Sequence, residues 1–186
     1  MNRKLILLLA GSLLAVQAGA AETRYQSKTL GLRFQIPQTF VTGQPAPLPS
    51  AKEMAEAMAK RGLEYNPPQE ESLIERRWAA GQDLNALRRD LPQISLQRQR
   101  GSEAEVLRKL AMKDEFRQQI GPWETYVLPG APGPYGDHAF YYLVPLKDGS
   151  TLEILAHKTD PKEKPTHYDQ VIRKLIESLE MVEQPR

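Results

Sequence analysis

Apolar and polar residues alternate along several segments of this chain, and a period of two is typical of half-buried β-strands. In residues 25–36 the apolar side chains of Leu32, Phe34 and Ile36 alternate with polar ones, which predicts a pair of strands ending at Pro37. The same strand character recurs in four later segments: residues 93–100, 123–128, 138–146 and 151–158.

The last two of these segments flank the dipeptide Asp-Gly at residues 148–149, which is typical of a two-residue type I′ hairpin turn. This turn sets Leu143 opposite Ile154 and gives the hairpin one wholly apolar face. A helix is expected to cover that apolar face, whereas the other face could carry a second cover or a ligand. The side chains on this other, mixed face include Tyr142, Glu153 and His157.

Apolar residues at helical spacing predict two clear helices. Residues 166–180 carry a continuous apolar stripe for the core. Residues 51–61 follow a capping box made by Ser50 and Glu53, and Gly62 supplies a left-handed C-terminal cap.

The middle of the chain has a less regular pattern. Ser102 and Glu105 form a second capping box, residues 83–90 predict a short helix, and residues 72–78 fit either a strand or a helical turn. The helix that begins at Ser102 has an apolar stripe made by Val106, Leu107, Leu110, Phe116 and Ile120.

Residues 1–20 have the three regions of a secretory signal peptide. A basic start precedes the apolar residues 5–16, and residues 18–20 form a small-x-small cleavage site. The apolar run is shorter than the ~20 residues that a membrane-spanning helix needs. We therefore expect residues 21–186 to be one exported α+β domain with a proline-rich connector at residues 43–50.

Loss of the signal peptide also changes the charge. The 186-residue chain has 25 basic and 23 acidic residues, but Arg3 and Lys4 lie in the signal peptide, so the net charge falls from +2 to zero. A neutral chain has no long-range field to attract nucleic acid or an anionic membrane. Cysteine is absent, which excludes disulfides and the lipidated cysteine of a lipoprotein. We expect a periplasmic or secreted protein with no membrane anchor and no nucleic-acid partner.

Two segments carry a resemblance to a known family. Residues 32–40 form a strand followed by a Pro-x-x-aromatic turn, and residues 171–182 form a helix that runs into Ser-Leu-x-x-Val. Together with the late run of strands, these segments resemble the PsbP-like family. The resemblance implies an antiparallel sheet between helices, an α/β/α-type sandwich. It implies no single function, because relatives of this fold act as accessory subunits, chaperones and binding modules.

The candidate residues for metal binding or catalysis are few. Of the three histidines, His157 and His138 lie on opposite faces in the predicted register, and His167 begins the last helix, so we expect no metal site and no cofactor. The Gly-x-Ser-x-Gly, His-Glu-x-x-His and Ser-x-x-Lys motifs are missing from the mature sequence. A hydrolase without a recognisable motif is therefore only the third candidate function.

A loop at residues 129–137 joins two strands and contains three prolines and three glycines. Prolines reduce the entropy that a loop loses on binding, so this loop can present Tyr135 as a rigid aromatic contact. Trp123 and Tyr126 lie on the strand that leads into the loop, and Asp137 lies at its end. Alternatively, the prolines and glycines only prevent the segment from pairing as an extra strand.

These features predict an α+β protein, an antiparallel β-sheet flanked by helices, that is exported and acts by binding rather than by catalysis. The leading function is that of an accessory protein that contacts another envelope protein through the 129–137 loop. The alternative is a carrier of a small molecule or metal on the mixed sheet face. The oligomeric state stays open. The candidate binding residues are Trp123, Tyr126, Tyr135, Asp137, Tyr142, Glu153 and His157.

Overall fold

A computed structural model describes residues 22–47, 69–129, 132–133, 136–157 and 166–182 of the chain, together with isolated positions between 53 and 62. The strands of this part form two sheets whose strand pairs are antiparallel, and helices flank the sheets. The fold is α+β, which confirms the predicted class. The finer PsbP-like arrangement stays a prediction.

The small sheet has the order β1-β2-β11, with β1 at Glu22–Ser27, β2 at Leu32–Pro37 and β11 at Glu180–Met181. The large sheet has the order β3-β4-β5-β10-β9-β7-β6, and β8 pairs with β9. Its strands are β3 (Phe40–Gly43), β4 (Gln69–Glu75), β5 (Gln93–Gln99), β6 (Arg117–Ile120), β7 (Trp123–Pro129), β8 (Pro132–Gly133), β9 (Gly136–Pro145) and β10 (Thr151–His157). The helical elements whose two ends lie in the described part are α1 (Arg76–Ala79), α2 (Gly101–Ala111), a 3-10 turn (Asp114–Phe116) and α3 (Thr166–Glu177).

The core lies between one face of the large sheet and a cover made of α3 and the small sheet. Leu32, Phe34 and Ile36 are buried while their neighbours on β2 are more exposed, as the alternation predicts. Each large apolar side chain buried in this way contributes roughly 1.5–3 kcal/mol relative to an exposed one. The buried stripe of α3 consists of Val171, Ile172, Leu175 and Ile176, and Leu179 follows it.

A buried arginine connects three parts of the fold. Arg98 on β5 donates from Nε to the Ser150 Oγ over 2.9 Å and from Nη2 to the Asp148 Oδ2 over 2.5 Å. Its Nη1 donates to the Leu30 carbonyl oxygen in the turn between β1 and β2. Because one guanidinium binds both turns, it fixes the β9–β10 turn relative to the small sheet.

The sequence prediction for the middle of the chain is partly wrong. The helix that begins near residue 101 ends at Ala111, and Ile120 lies in β6 opposite Trp123. The predicted capping box is not formed, because Arg100 is the N-cap residue and the Ser102 hydroxyl instead contacts Glu103.

The open segment at residues 72–78 is resolved as strand β4 followed by the single turn of α1. Residues 83–90 form turns and no helix. The Asn85 N–H donates to the nearby Asp83 carboxylate, and the Leu87 N–H donates to the distant Gln44 carbonyl oxygen. These two N–H groups are therefore not available for helical hydrogen bonds.

Of the predicted helix at residues 51–61, the described positions Glu53, Glu56, Ala57 and Ala59 are helical, Lys60 lies in a turn, and the others lie outside the described residues. Gly62 has a φ of 69°, as the predicted left-handed cap requires. The predicted signal peptide at residues 1–20 and part of the predicted connector at 43–50 also lie outside the described part. Within that part, no helix has the length and apolar character needed to cross a bilayer.

Candidate functional site

The β9–β10 hairpin differs from its predicted register by one residue. The Leu146 N–H donates to the Ser150 carbonyl oxygen over 2.9 Å, so the loop has three residues, 147–149, and not two. Gly149 has a φ of 84°, which is the left-handed residue that such a three-residue loop needs. Ile154 therefore lies opposite Tyr142, whereas the predicted partner was Leu143. A shift of one residue moves each side chain to the other face of the sheet.

Tyr142 consequently lies on the core face, away from Glu153. Its ring is fully buried, and its hydroxyl donates to the Asp169 carboxylate on α3. Arg173 Nε lies 3.0 Å from the Asp169 Oδ2 and holds the same carboxylate. Burial is the main cause that raises the pKa of the Tyr142 hydroxyl, and the bond to Asp169 adds to it. The predicted shared face of Tyr142, Glu153 and His157 is therefore wrong, and Tyr142 connects α3 to the large sheet.

Trp123 and Tyr126 also pack within the fold. Trp123 is 7% exposed and its Nε1 donates to the Leu179 carbonyl oxygen over 3.2 Å. Tyr126 is 9% exposed, and its hydroxyl donates to the Glu124 carboxylate over 2.9 Å. Their prediction as exposed contacts is corrected, because side chains this buried cannot form the centre of a protein-binding surface. The side chains of Tyr135 and Asp137 lie outside what the structure describes.

The two β-strand histidines are cross-strand neighbours. His138 pairs with His157 in the backbone register. The register shifts between Ala156 and His157 of β10, where β9 takes up one extra residue. The predicted pairing of His157 with Phe140 is therefore wrong, since Phe140 lies opposite Ala156. Among the residues that the structure describes, no group of three or more potential ligands could hold a metal ion.

A groove lies between α2 and the outer face of the large sheet, the face turned away from the core. Its volume is about 380 Å³, a size at the lower end of small-molecule sites. The helix side is formed by Ser102, Glu103, Val106 and Leu107, and the sheet side by Gln99 and Glu153. Val106 is 51% exposed, so an apolar wall faces solvent at the groove.

Glu153 is the groove residue whose pKa is shifted from its ordinary value. Burial raises the pKa of its carboxyl, while hydrogen bonds from Tyr141 and Gln99 lower it in part and the charge of Glu70 raises it further. The Gln99 bond is long, with 3.4 Å between Nε2 and the Glu153 Oε2. Within the described part of the chain, no basic side chain forms a salt bridge with Glu153. The groove therefore contains a partly buried carboxylate to which the described residues supply no counter-ion.

Glu70 provides a comparison on the same sheet face. Glu70, Gln97 and Glu153 lie side by side on β4, β5 and β10. Glu70 is held by both terminal nitrogens of Arg89, at 2.9 and 2.8 Å, and Ser95 donates to it over 3.0 Å. The two acids of this row thus differ, because Glu70 has an arginine partner and Glu153 has no basic partner among the described residues.

The position of α2 depends on the hairpin turn. Arg108 donates from Nη2 to the Gly149 carbonyl oxygen, and Ala104 is buried against the fold. The Arg108 charge is thereby directed to the turn, and Arg108 does not line the groove. The same turn that sets the strand register also fixes the helical wall of the groove.

Sequence reasoning found Glu153 but missed the residues around it. Tyr141 would have been identified from the alternation along β9 if the three-residue turn had been chosen, because it then shares a face with Glu153. Val106 and Leu107 were assigned to the core stripe of a helix, and nothing in their spacing distinguishes a core wall from a groove wall.

Comparisons with protein-family models, with the curated proteins and with the solved structures found no match to this chain. The function is therefore inferred from the groove itself.

Proposed function

We propose that this protein is an exported, non-catalytic binding protein that takes a small, partly apolar ligand into the groove between α2 and the large sheet. The main support is the groove of about 380 Å³, with Val106 and Leu107 on one wall and Glu153 on the other. A concave apolar surface with a few polar groups is the usual form of a small-molecule site. Export through the signal peptide at residues 1–20 is part of this proposal.

The contact between this protein and an envelope partner, expected from the 129–137 loop, receives less support. Two of its candidate residues, Trp123 and Tyr126, are buried within the sheet and the core. A groove beside a helix instead favours the carrier alternative. The ligand-binding function is therefore the one we put forward.

The test uses N-phenyl-1-naphthylamine, a neutral apolar dye whose fluorescence rises in an apolar environment. The protein is expressed from the 186-residue chain and purified in the form that the cell accumulates. We expect saturable binding of one dye per chain. Val106→Asn should weaken this binding about three- to tenfold, because it removes apolar surface from the groove wall.

Leu110→Asn is the matched control. Leu110 is 71% exposed on the same helix and does not line the groove, so this variant makes a similar change outside the site. Equal dye binding by the Val106 variant and the unaltered protein would show that the dye does not enter the groove, and the proposal would be abandoned.

A further inference from the structure

The charges around the groove indicate which kind of ligand it takes. Its two ionisable lining residues, Glu103 and Glu153, are both acidic, and no basic residue lines it within the described part of the chain. The nearest arginine on α2, Arg108, donates to the Gly149 carbonyl oxygen in the hairpin turn. An anionic ligand would therefore meet two carboxylates and no compensating cation.

Glu153 also has unused hydrogen-bonding capacity. An ionised carboxylate can accept about four hydrogen bonds, whereas Glu153 accepts a long one of 3.4 Å from Gln99 and its pKa is otherwise lowered, among the described residues, only by the nearby Tyr141 hydroxyl. Glu70 shows how this sheet face satisfies an acid completely, because it receives two bonds from Arg89 and one from Ser95. What Arg89 provides for Glu70, no described side chain provides for Glu153.

We propose, on the basis of the proposed binding function, that the ligand is an organic cation: an ammonium group pairs with Glu153 while its hydrocarbon part lies on Val106 and Leu107. The ammonium supplies the donors and the positive charge that Glu153 lacks. The hydrocarbon part covers the exposed apolar wall of α2, of which Val106 is 51% exposed. Charge-assisted hydrogen bonds in a partly dry site are the strong ones, so the pair gives both affinity and selectivity.

The test compares three ligands with the same chain and different head groups: octylammonium, octanol and octanoate. Dissociation constants are measured by calorimetric titration at neutral pH with the protein from the full chain. We expect octylammonium to bind about tenfold or more tightly than octanol, as a charge-assisted bond predicts, and octanoate to bind most weakly.

Glu153→Gln should remove the preference for octylammonium, because the amide keeps the shape of the Glu153 side chain but removes its negative charge. Glu105→Gln is the matched control, since it removes the same charge from an exposed position of α2 outside the groove lining. Circular dichroism of both variants checks that they fold.

The outcomes separate this proposal from the one on which it rests. Equal binding of the three octyl compounds would overturn the cation class and leave the groove function standing. A preference for octylammonium that survives Glu153→Gln, or is lost equally in Glu105→Gln, would overturn the role of Glu153. No binding of either the octyl compounds or the dye would overturn both proposals.

Discussion

The Tyr141 hydroxyl and the Glu153 carboxylate influence each other across the β9–β10 pair, on the outer face of the large sheet: the carboxylate raises the pKa of Tyr141, and the hydroxyl lowers the pKa of Glu153. Leu143 is the direct partner of Glu153, so Tyr141 lies diagonally to it, within reach of a long side chain. Burial and the nearby charge of Glu153 both raise the pKa of Tyr141, so the Tyr141 hydroxyl stays protonated. Tyr141 is thus the neighbour that favours the ionised form of Glu153, for which the described part of the chain supplies no basic partner.

Glu153→Gln is expected to stabilise the unliganded protein at neutral pH. The folded pKa of Glu153 is raised, mainly by burial, so the folded state holds this proton more tightly than the unfolded state. Stability from this group is therefore present at low pH and is lost as pH rises through the folded pKa. Urea unfolding should show a higher free energy for the variant at pH 8 and a smaller gain at pH 5. A lower free energy of unfolding for the variant than for the unaltered protein at pH 8 would contradict this prediction.

Tyr141→Phe should raise the pKa of Glu153 further. The hydroxyl bond favours the ionised carboxylate and opposes the effect of burial, so its loss favours the protonated form. The measurement is a pH titration of the Glu153 side-chain carboxyl carbon by NMR. Tyr142→Phe is the control, because the neighbouring hydroxyl bonds Asp169 on the opposite face and should leave this titration unchanged.

Tyr142→Phe should instead lower the stability. It removes the bond to Asp169 from a fully buried tyrosine, and the loss of such a bond costs about 1 kcal/mol. Binding of N-phenyl-1-naphthylamine should stay the same, since Tyr142 does not line the groove. Weaker dye binding with unchanged stability would instead support the sequence prediction that Tyr142 belongs to the ligand site.

Arg98→Met should lower the free energy of unfolding by about 2 kcal/mol, because it leaves the Leu30 carbonyl oxygen without its donor and Asp148 without its cation. Urea denaturation provides the measurement. Arg100→Met is a suitable control, since Arg100 is exposed two residues away on the same segment. Similar losses in both variants would mean that the three bonds of Arg98 contribute little.

Gly149→Ala should destabilise the hairpin by about 1 kcal/mol, because its φ of 84° is unfavourable for a residue with a Cβ. Gly149→Asn should lose less, since asparagine tolerates the left-handed region better than alanine. Both variants are compared by urea denaturation. Equal stability of the alanine variant and the unaltered protein would argue against the three-residue turn.

The candidate site was only partly predictable from the sequence. Glu153 could be selected because alternation along its own strand places it on the mixed face of the hairpin. Its neighbours did depend on register, and the choice of a two-residue turn replaced Tyr141 with Tyr142. That Arg89 pairs with Glu70 could not be foreseen, because the two residues lie 19 positions apart and meet only in the folded sheet.

The sequence by itself determined the strands and helix whose faces follow from a local period. Leu32, Phe34 and Ile36 point into the core because successive strand residues alternate, and the stripe of α3 is buried because its spacing repeats along one helical face. Tertiary structure alone decided where α2 ends and how β9 pairs with β10. Ile120 gains more from packing in β6 beside Trp123 than from extending a helix. The pairing depends on whether the turn has two or three residues. Local sequence pattern does not distinguish these two lengths, but the packing of a whole sheet face against the core does.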